Sequence, residues 1–195
     1  MAKATIAAIL LVVLVALGVA LWQAFLRAGG LALRTRAALA SAGTLVTMLM
    51  LLAFAMVLAN VQGAAAPFAS LLPMVTAGAT GRELTGTLDQ IRQRLAAGDR
   101  STPALEMMVG DLTRYHVAFA VIAGITAVAG VGLSVLWWKK FAATGSPARR
   151  ARRVFGTFGV LSVLLVLVAI VSVVANASTA ADSPRALLGF FEGGW

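Results

Sequence analysis

Four stretches of this chain run for about the length of a membrane span without a single charged residue: Ala4–Leu26, Ala37–Ala59, Val117–Leu136 and Val154–Ala175. About 20 predominantly apolar residues cross roughly 30 Å of hydrocarbon as a helix. Lipid offers backbone groups no partners, so runs this long satisfy their own hydrogen bonds as helices. The expected fold is an all-α integral membrane protein with four transmembrane helices. Composition agrees: 61% of the 195 residues are hydrophobic and 12% are charged, with a mean hydropathy of +0.94. The first apolar run follows Lys3 but outlasts the roughly 7–15 residues of a signal-peptide core, so it reads as a span.

The charges are segregated. The short connections 27–36 and 139–153 hold three and six basic residues and no acid, whereas all seven acids fall in the segment 60–116 and the C-terminal tail. Short loops rich in Lys and Arg face the cytoplasm. Both connections are therefore expected in the cytoplasm, with both termini and the long segment extracytoplasmic. Trp22, Trp137 and Trp138 stand at the connection ends of spans one and three, where aromatic belts form. The localisation this implies is a multi-pass protein of a bacterial plasma (inner) membrane.

A shift of 116 residues superposes the first helical hairpin on the second with 21 ungapped identities between residues 6 and 60. They include Trp22/Trp138, Phe25/Phe141, Gly29/Gly145, Arg34/Arg150, Arg36/Arg152, Gly43/Gly159 and Asn60/Asn176. Aliphatic matches between apolar spans are cheap; Trp, Phe, Gly, Arg and Asn in one register are not. The expected architecture is two duplicated parallel hairpins about a pseudo-two-fold axis. The parts are 1–60, first hairpin; 61–116, a small helical insertion; 117–176, second hairpin; and 177–195, an aromatic tail.

Within the insertion, Thr80-Gly-Arg-Glu83 has the form of a capping box. Leu84, Leu88, Ile91 and Leu95 then share a helical face, and Gly98 is a stop. Thr102-Pro103 starts a second helix, with Leu105, Met108, Val109 and Leu112 on its apolar face, running on through Tyr115 and His116 into span three. The stretch "AAAPFASLLPMV", interrupted by Pro67 and Pro73, is expected at the outer membrane surface. Asp89/Arg92 and Asp111/Arg114 read as solvated surface pairs.

Chemistry is sparse. No ionisable residue lies within a span, and proton relays or charged-substrate paths normally need one. Cysteine is absent, His116 is the single histidine, and neither a catalytic triad nor metal-ligand spacing occurs, so no catalytic residue, cofactor or metal is expected. Small residues such as Gly156 and Gly159 suit close helix packing, and Ser41, Thr44, Thr47, Thr126 and Ser162 suit interhelical hydrogen bonds.

The second connection exceeds the first in charge. Lys139, Lys140, Arg149, Arg150, Arg152 and Arg153 are expected to meet anionic lipid headgroups or an acidic partner, at roughly 1 kcal/mol per charge near the surface. Its place between two spans argues against nucleic acid. In the tail "SPRALLGFFEGGW", Phe190, Phe191 and Trp195 are expected to anchor in the bilayer or in a partner's groove.

In its size, its Ala/Val-rich spans and its basic connection "SPARRARRVF", the chain resembles small four-span accessory membrane proteins of actinobacteria, such as the accessory subunit of Mce-type lipid importers. The resemblance implies lipid import as the setting. The residues themselves point to a non-enzymatic accessory or scaffolding subunit of a larger plasma-membrane complex, with other membrane proteins and the bilayer as partners. The alternatives are a small structural subunit of a respiratory supercomplex, or an independent channel or lipid-handling transporter.

Overall fold

The computed structural model describes residues 2–30, 32–77, 82–99, 101–145 and 147–193, with side chains except at 2–4, 7, 75–77 and 82–84. Among the described residues the chain forms seven helices and no strand: α1 (Ala2–Arg27), α2 (Leu33–Ala65), α3 (Pro67–Ala77), α4 (Arg82–Ala96), α5 (Pro103–Ala143), α6 (Arg149–Ala181) and α7 (Ser183–Phe191). Each of the four apolar stretches lies inside one long helix. Helices α1, α2, α5 and α6 are long and apolar enough to cross a membrane. Few of their residues are fully buried: 11% of an apolar window of α1, and 17% in each of the other three. Val12, Val128 and Val171 are 69%, 76% and 67% exposed. Continuous apolar surface on this scale suits lipid rather than water. This is the build of a multi-pass membrane protein.

The helices break where the sequence supplies a physical reason. Pro67, without an N–H, separates α2 from α3 and takes the first position of the new helix. Helix α4 ends in a Schellman arrangement, with Asp99 N–H donating to Arg94 O at 2.9 Å and Gly98 N–H to Leu95 O at 3.1 Å. Gly98 has φ +69°, a conformation glycine adopts without steric cost. Just beyond, the Ser101 hydroxyl and backbone N–H hold the exposed Asp99 carboxyl below its ordinary range. At the end of α6, Asp182 leaves helical geometry and Pro184 opens α7.

Contacts gather into two compact units, residues 1–61 with 129–164 and residues 62–128 with 165–195. In the first, Leu14, Val46 and Ala53 form the core, with Leu11, Leu21 and Met50 against them. Glycines allow close approach here. The site of a Cβ on Gly43 lies 3.1 Å from Trp22 Cε2, on Gly159 3.1 Å from Trp138 Cε2, and on Gly156 3.2 Å from Phe141 Cε2.

The second unit has its own core, made by α3, α4, the first turns of α5, and α7. Leu72, Leu88, Leu95, Leu105, Val109 and Leu112 pack with Leu187, Phe190 and Phe191. The expected faces of α4 and α5 are the ones buried, and α5 does run through Tyr115 and His116. Leu84 and Glu83 side chains and Thr80 lie outside the described residues. One expectation is corrected and another is narrowed to one helix face. One face of the stretch around Pro67–Ala77 is taken into this core, with Ala66, Ala69 and Leu72 at 0%, 8% and 2% exposure, while Leu71 and Met74 remain 52% and 73% exposed. Asp111 turns to α3 rather than to Arg114, its Oδ2 accepting from Ala69 N–H at 2.8 Å in the first turn of that helix. A carboxylate there meets both unpaired N–H groups and the positive helix end.

The hydroxyls also depart from expectation. Thr44, Thr126 and Ser162 donate to carbonyls of their own helices at 3.0, 2.8 and 2.8 Å. Such bonds satisfy a hydroxyl in lipid without a neighbouring helix. Thr47 does both: it donates to Gly43 O at 2.7 Å and accepts from Trp22 Nε1 at 3.2 Å.

Candidate functional site: a basic cleft at the connections

The six basic residues of the second connection occupy three environments. Lys139 is exposed. Lys140 and Arg152 lie over aromatic rings, with Lys140 Nζ 5.5 Å from the Trp137 centroid and 5.7 Å from that of Phe155, and the Arg152 guanidinium 4.6 Å from Phe141. Cations over ring faces gain from the quadrupole while staying hydrated on the other side. Arg149, Arg150 and Arg153 instead line a concave space of about 690 Å³ that they share with Phe25, Leu26 and Pro147.

This cleft brings together both basic connections. Phe25 and Leu26 come from the last turns of α1, and the arginines from the first turns of α6. The Arg150 guanidinium rests 5.6 Å from the centre of the Phe25 ring. Arg152 and Arg153 also line a second, smaller hollow of about 490 Å³ with Phe141 and Gly156.

Aromatic side chains hold the region together. Phe158 meets Trp22 edge-on at 5.1 Å and stacks on Trp137 at 5.3 Å, while Phe155 stacks on Trp137 at 6.0 Å. Phe158 thus links α1 to α5 through α6. Its role was not visible from the sequence, although its one-turn spacing from Phe155 was a signal.

The tail residues are elsewhere. Phe190 and Phe191, expected to anchor in lipid or in a partner, are 8% and 3% exposed within the core of the second unit. The groove that receives them belongs to the chain itself. Arg92 Nε donates to Phe191 O at 2.7 Å and its Nη1 pairs with Asp89 at 2.8 Å, so α4 clamps the end of α7. Trp195 lies outside the described residues.

His116 is 9% exposed, and its Nδ1 stands 2.8 Å from Asn176 Oδ1. Asn176 Nδ2 is committed to Ser172 O at 2.8 Å, so Oδ1 accepts and the Nδ1 of His116 carries the proton. The pair ties α5 to α6. Beside it, Thr113 donates to the buried Ser183 hydroxyl at 2.8 Å. No group of three or more His, Cys, Asp or Glu suited to a metal occurs among the described residues.

No family model, curated protein or solved structure matches the chain.

Proposed function

We propose that this protein is a non-enzymatic accessory or scaffolding subunit of a larger plasma-membrane complex. The observation that carries the reading is the pairing of two properties in the four spans. They hold no ionisable residue, and they leave much of their lateral apolar surface open, with 11–17% of the residues in each apolar window buried. A span surface without chemistry of its own is suited to contact with lipid and with other spans. The hydroxyls of Thr44, Thr126 and Ser162 are taken up by their own helices, which favours packing over a polar conduction path.

In this reading the chain is two duplicated hairpins with an extracytoplasmic insertion. Support comes from equivalent residues making equivalent contacts. Trp22 covers Gly43 as Trp138 covers Gly159, and Asn60 and Asn176 each donate to the carbonyl four residues earlier at 2.7 and 2.8 Å. Each member of one set lies 116 residues from its counterpart. The basic connections face the cytoplasm of a bacterial cell, the termini and the acidic segment lie outside, and the resemblance to accessory subunits of lipid importers makes a lipid-import complex the preferred setting.

Photo-crosslinkers placed in intact membranes at Val12, Val128 and Val171, three of the most exposed span positions, test the reading. Adducts to another membrane protein from at least one of them are expected. Adducts to lipid alone from all three would contradict it.

A further inference from the structure

We infer that the cleft formed by Phe25, Leu26, Pro147, Arg149, Arg150 and Arg153 is a binding site for the phosphate headgroup of one anionic phospholipid. Charge gives the first argument. The unit containing the cleft, residues 1–61 and 129–164, carries ten Lys and Arg and no Asp or Glu. Its cations therefore have no carboxylate of their own unit to neutralise them. Counter-charge for them comes from outside the unit.

Shape and chemistry select the source of that counter-charge. The space, about 690 Å³, is an open concavity rather than an enclosed pocket, as suits a headgroup held at a membrane surface. Its walls are of two kinds, a cationic one from Arg149, Arg150 and Arg153, and an apolar one from Phe25, Leu26 and Pro147. A phospholipid presents the matching pair, a phosphodiester and the root of its acyl chains. Guanidinium forks bind phosphate oxygens with two donors each, and Arg150 is already oriented by the Phe25 ring at 5.6 Å. The first turn of the 33-residue α6 holds no acid, and the positive helix end carries these arginines. The cleft sits where the apolar runs of α1 and α6 give way to polar residues, the level at which headgroups stand. The site separates the six bases of the connection into two classes: three that build a headgroup site, and Lys139, Lys140 and Arg152, which do not line it.

The inference is independent of the accessory role, because it requires only the purified chain; failure to find a protein partner would leave it standing. The full-length protein, stripped of lipid in detergent, is titrated with phosphatidylglycerol and, separately, with phosphatidylethanolamine, and bound lipid is counted by native mass spectrometry. One phosphatidylglycerol is expected to bind first, ahead of phosphatidylethanolamine. The triple variant Arg149→Gln, Arg150→Gln, Arg153→Gln should weaken that first event by about tenfold or more, while Lys139→Gln, Lys140→Gln, Arg152→Gln, with the same charge removed, weakens it by less than about threefold. Equal losses in the two triples would reduce the effect to net charge and overturn the site. Displacement of the lipid by millimolar inorganic phosphate would make it a simple anion site and overturn it as well. If the Gln triple does not fold, the charge-preserving Arg149→Lys, Arg150→Lys, Arg153→Lys decides: a several-fold loss supports the forked geometry, and wild-type binding contradicts it.

Discussion

The indole of Trp22 lies 3.1 Å from the point where a Cβ on Gly43 would stand, and its Nε1 donates to Thr47 at 3.2 Å. The equivalent Trp138 covers Gly159 at the same 3.1 Å, but the position matching Thr47 is Val163, which accepts no such bond. One indole is pinned; the other is 39% exposed and has room to give. A methyl group at either glycine needs the ring to retreat by a few tenths of an ångström. Set against the roughly 0.5–1 kcal/mol that Ala gains over Gly inside a helix, Gly43→Ala should still cost about 1 kcal/mol or more, whereas Gly159→Ala should be near neutral. Thermal unfolding in detergent reads the difference. Equal effects would mean that the Thr47 bond does not restrain Trp22.

His116 and Asn176 offer a second separable interaction. Asn176→Leu leaves the His116 Nδ1–H without its acceptor in a nearly buried place, a loss of about 1–3 kcal/mol. His116→Phe combined with Asn176→Leu removes both polar partners. The double variant should be more stable than the sum of the single changes predicts, with a coupling of about 0.5–3 kcal/mol in a double-mutant cycle. Additive effects would dissolve the pair.

Helix α7 is a structural part of the second unit. Leu187 is fully buried and Phe191 is 3% exposed, so Phe191→Ala should destabilise that unit by about 3–5 kcal/mol. Limited proteolysis of the 62–128 segment should accelerate accordingly. Were Phe191 an anchor for lipid or a partner, the same substitution would leave proteolysis of the isolated protein unchanged.

Gln62 is 6% exposed, and its Nε2 has no hydrogen-bond partner. An unpaired amide donor opposes folding. Gln62→Met, similar in shape and free of that donor, should leave stability unchanged or raise it by about 1 kcal/mol. A clear loss of stability would reveal a partner for the amide.

Much of the architecture is legible in the sequence because its causes are local. A charge-free run has to be a helix in lipid, whatever its neighbours. Leu88, Ile91 and Leu95 mark a face by their spacing, and Gly98 marks a stop through its own backbone freedom. The illegible parts depend on residues far apart in the chain. Nothing near Phe191 in sequence tells a membrane anchor from a side chain packed in the chain's own core, its carbonyl held by Arg92. Asp111 is one helical turn from Arg114, and only the fold brings Ala69 N–H closer. The basic run around Arg150 is conspicuous in sequence. That Arg149, Arg150 and Arg153 share a cleft with Phe25 while Lys139 stands free is a matter of tertiary placement.

The most direct measurement is the mass of the particle that carries this chain when a tagged copy is extracted from its native membrane in mild detergent and purified. An accessory subunit should travel in a particle several times its own 20.1 kDa, with at least one other polypeptide in fixed ratio. A monodisperse single chain bound only to detergent and lipid would contradict the account.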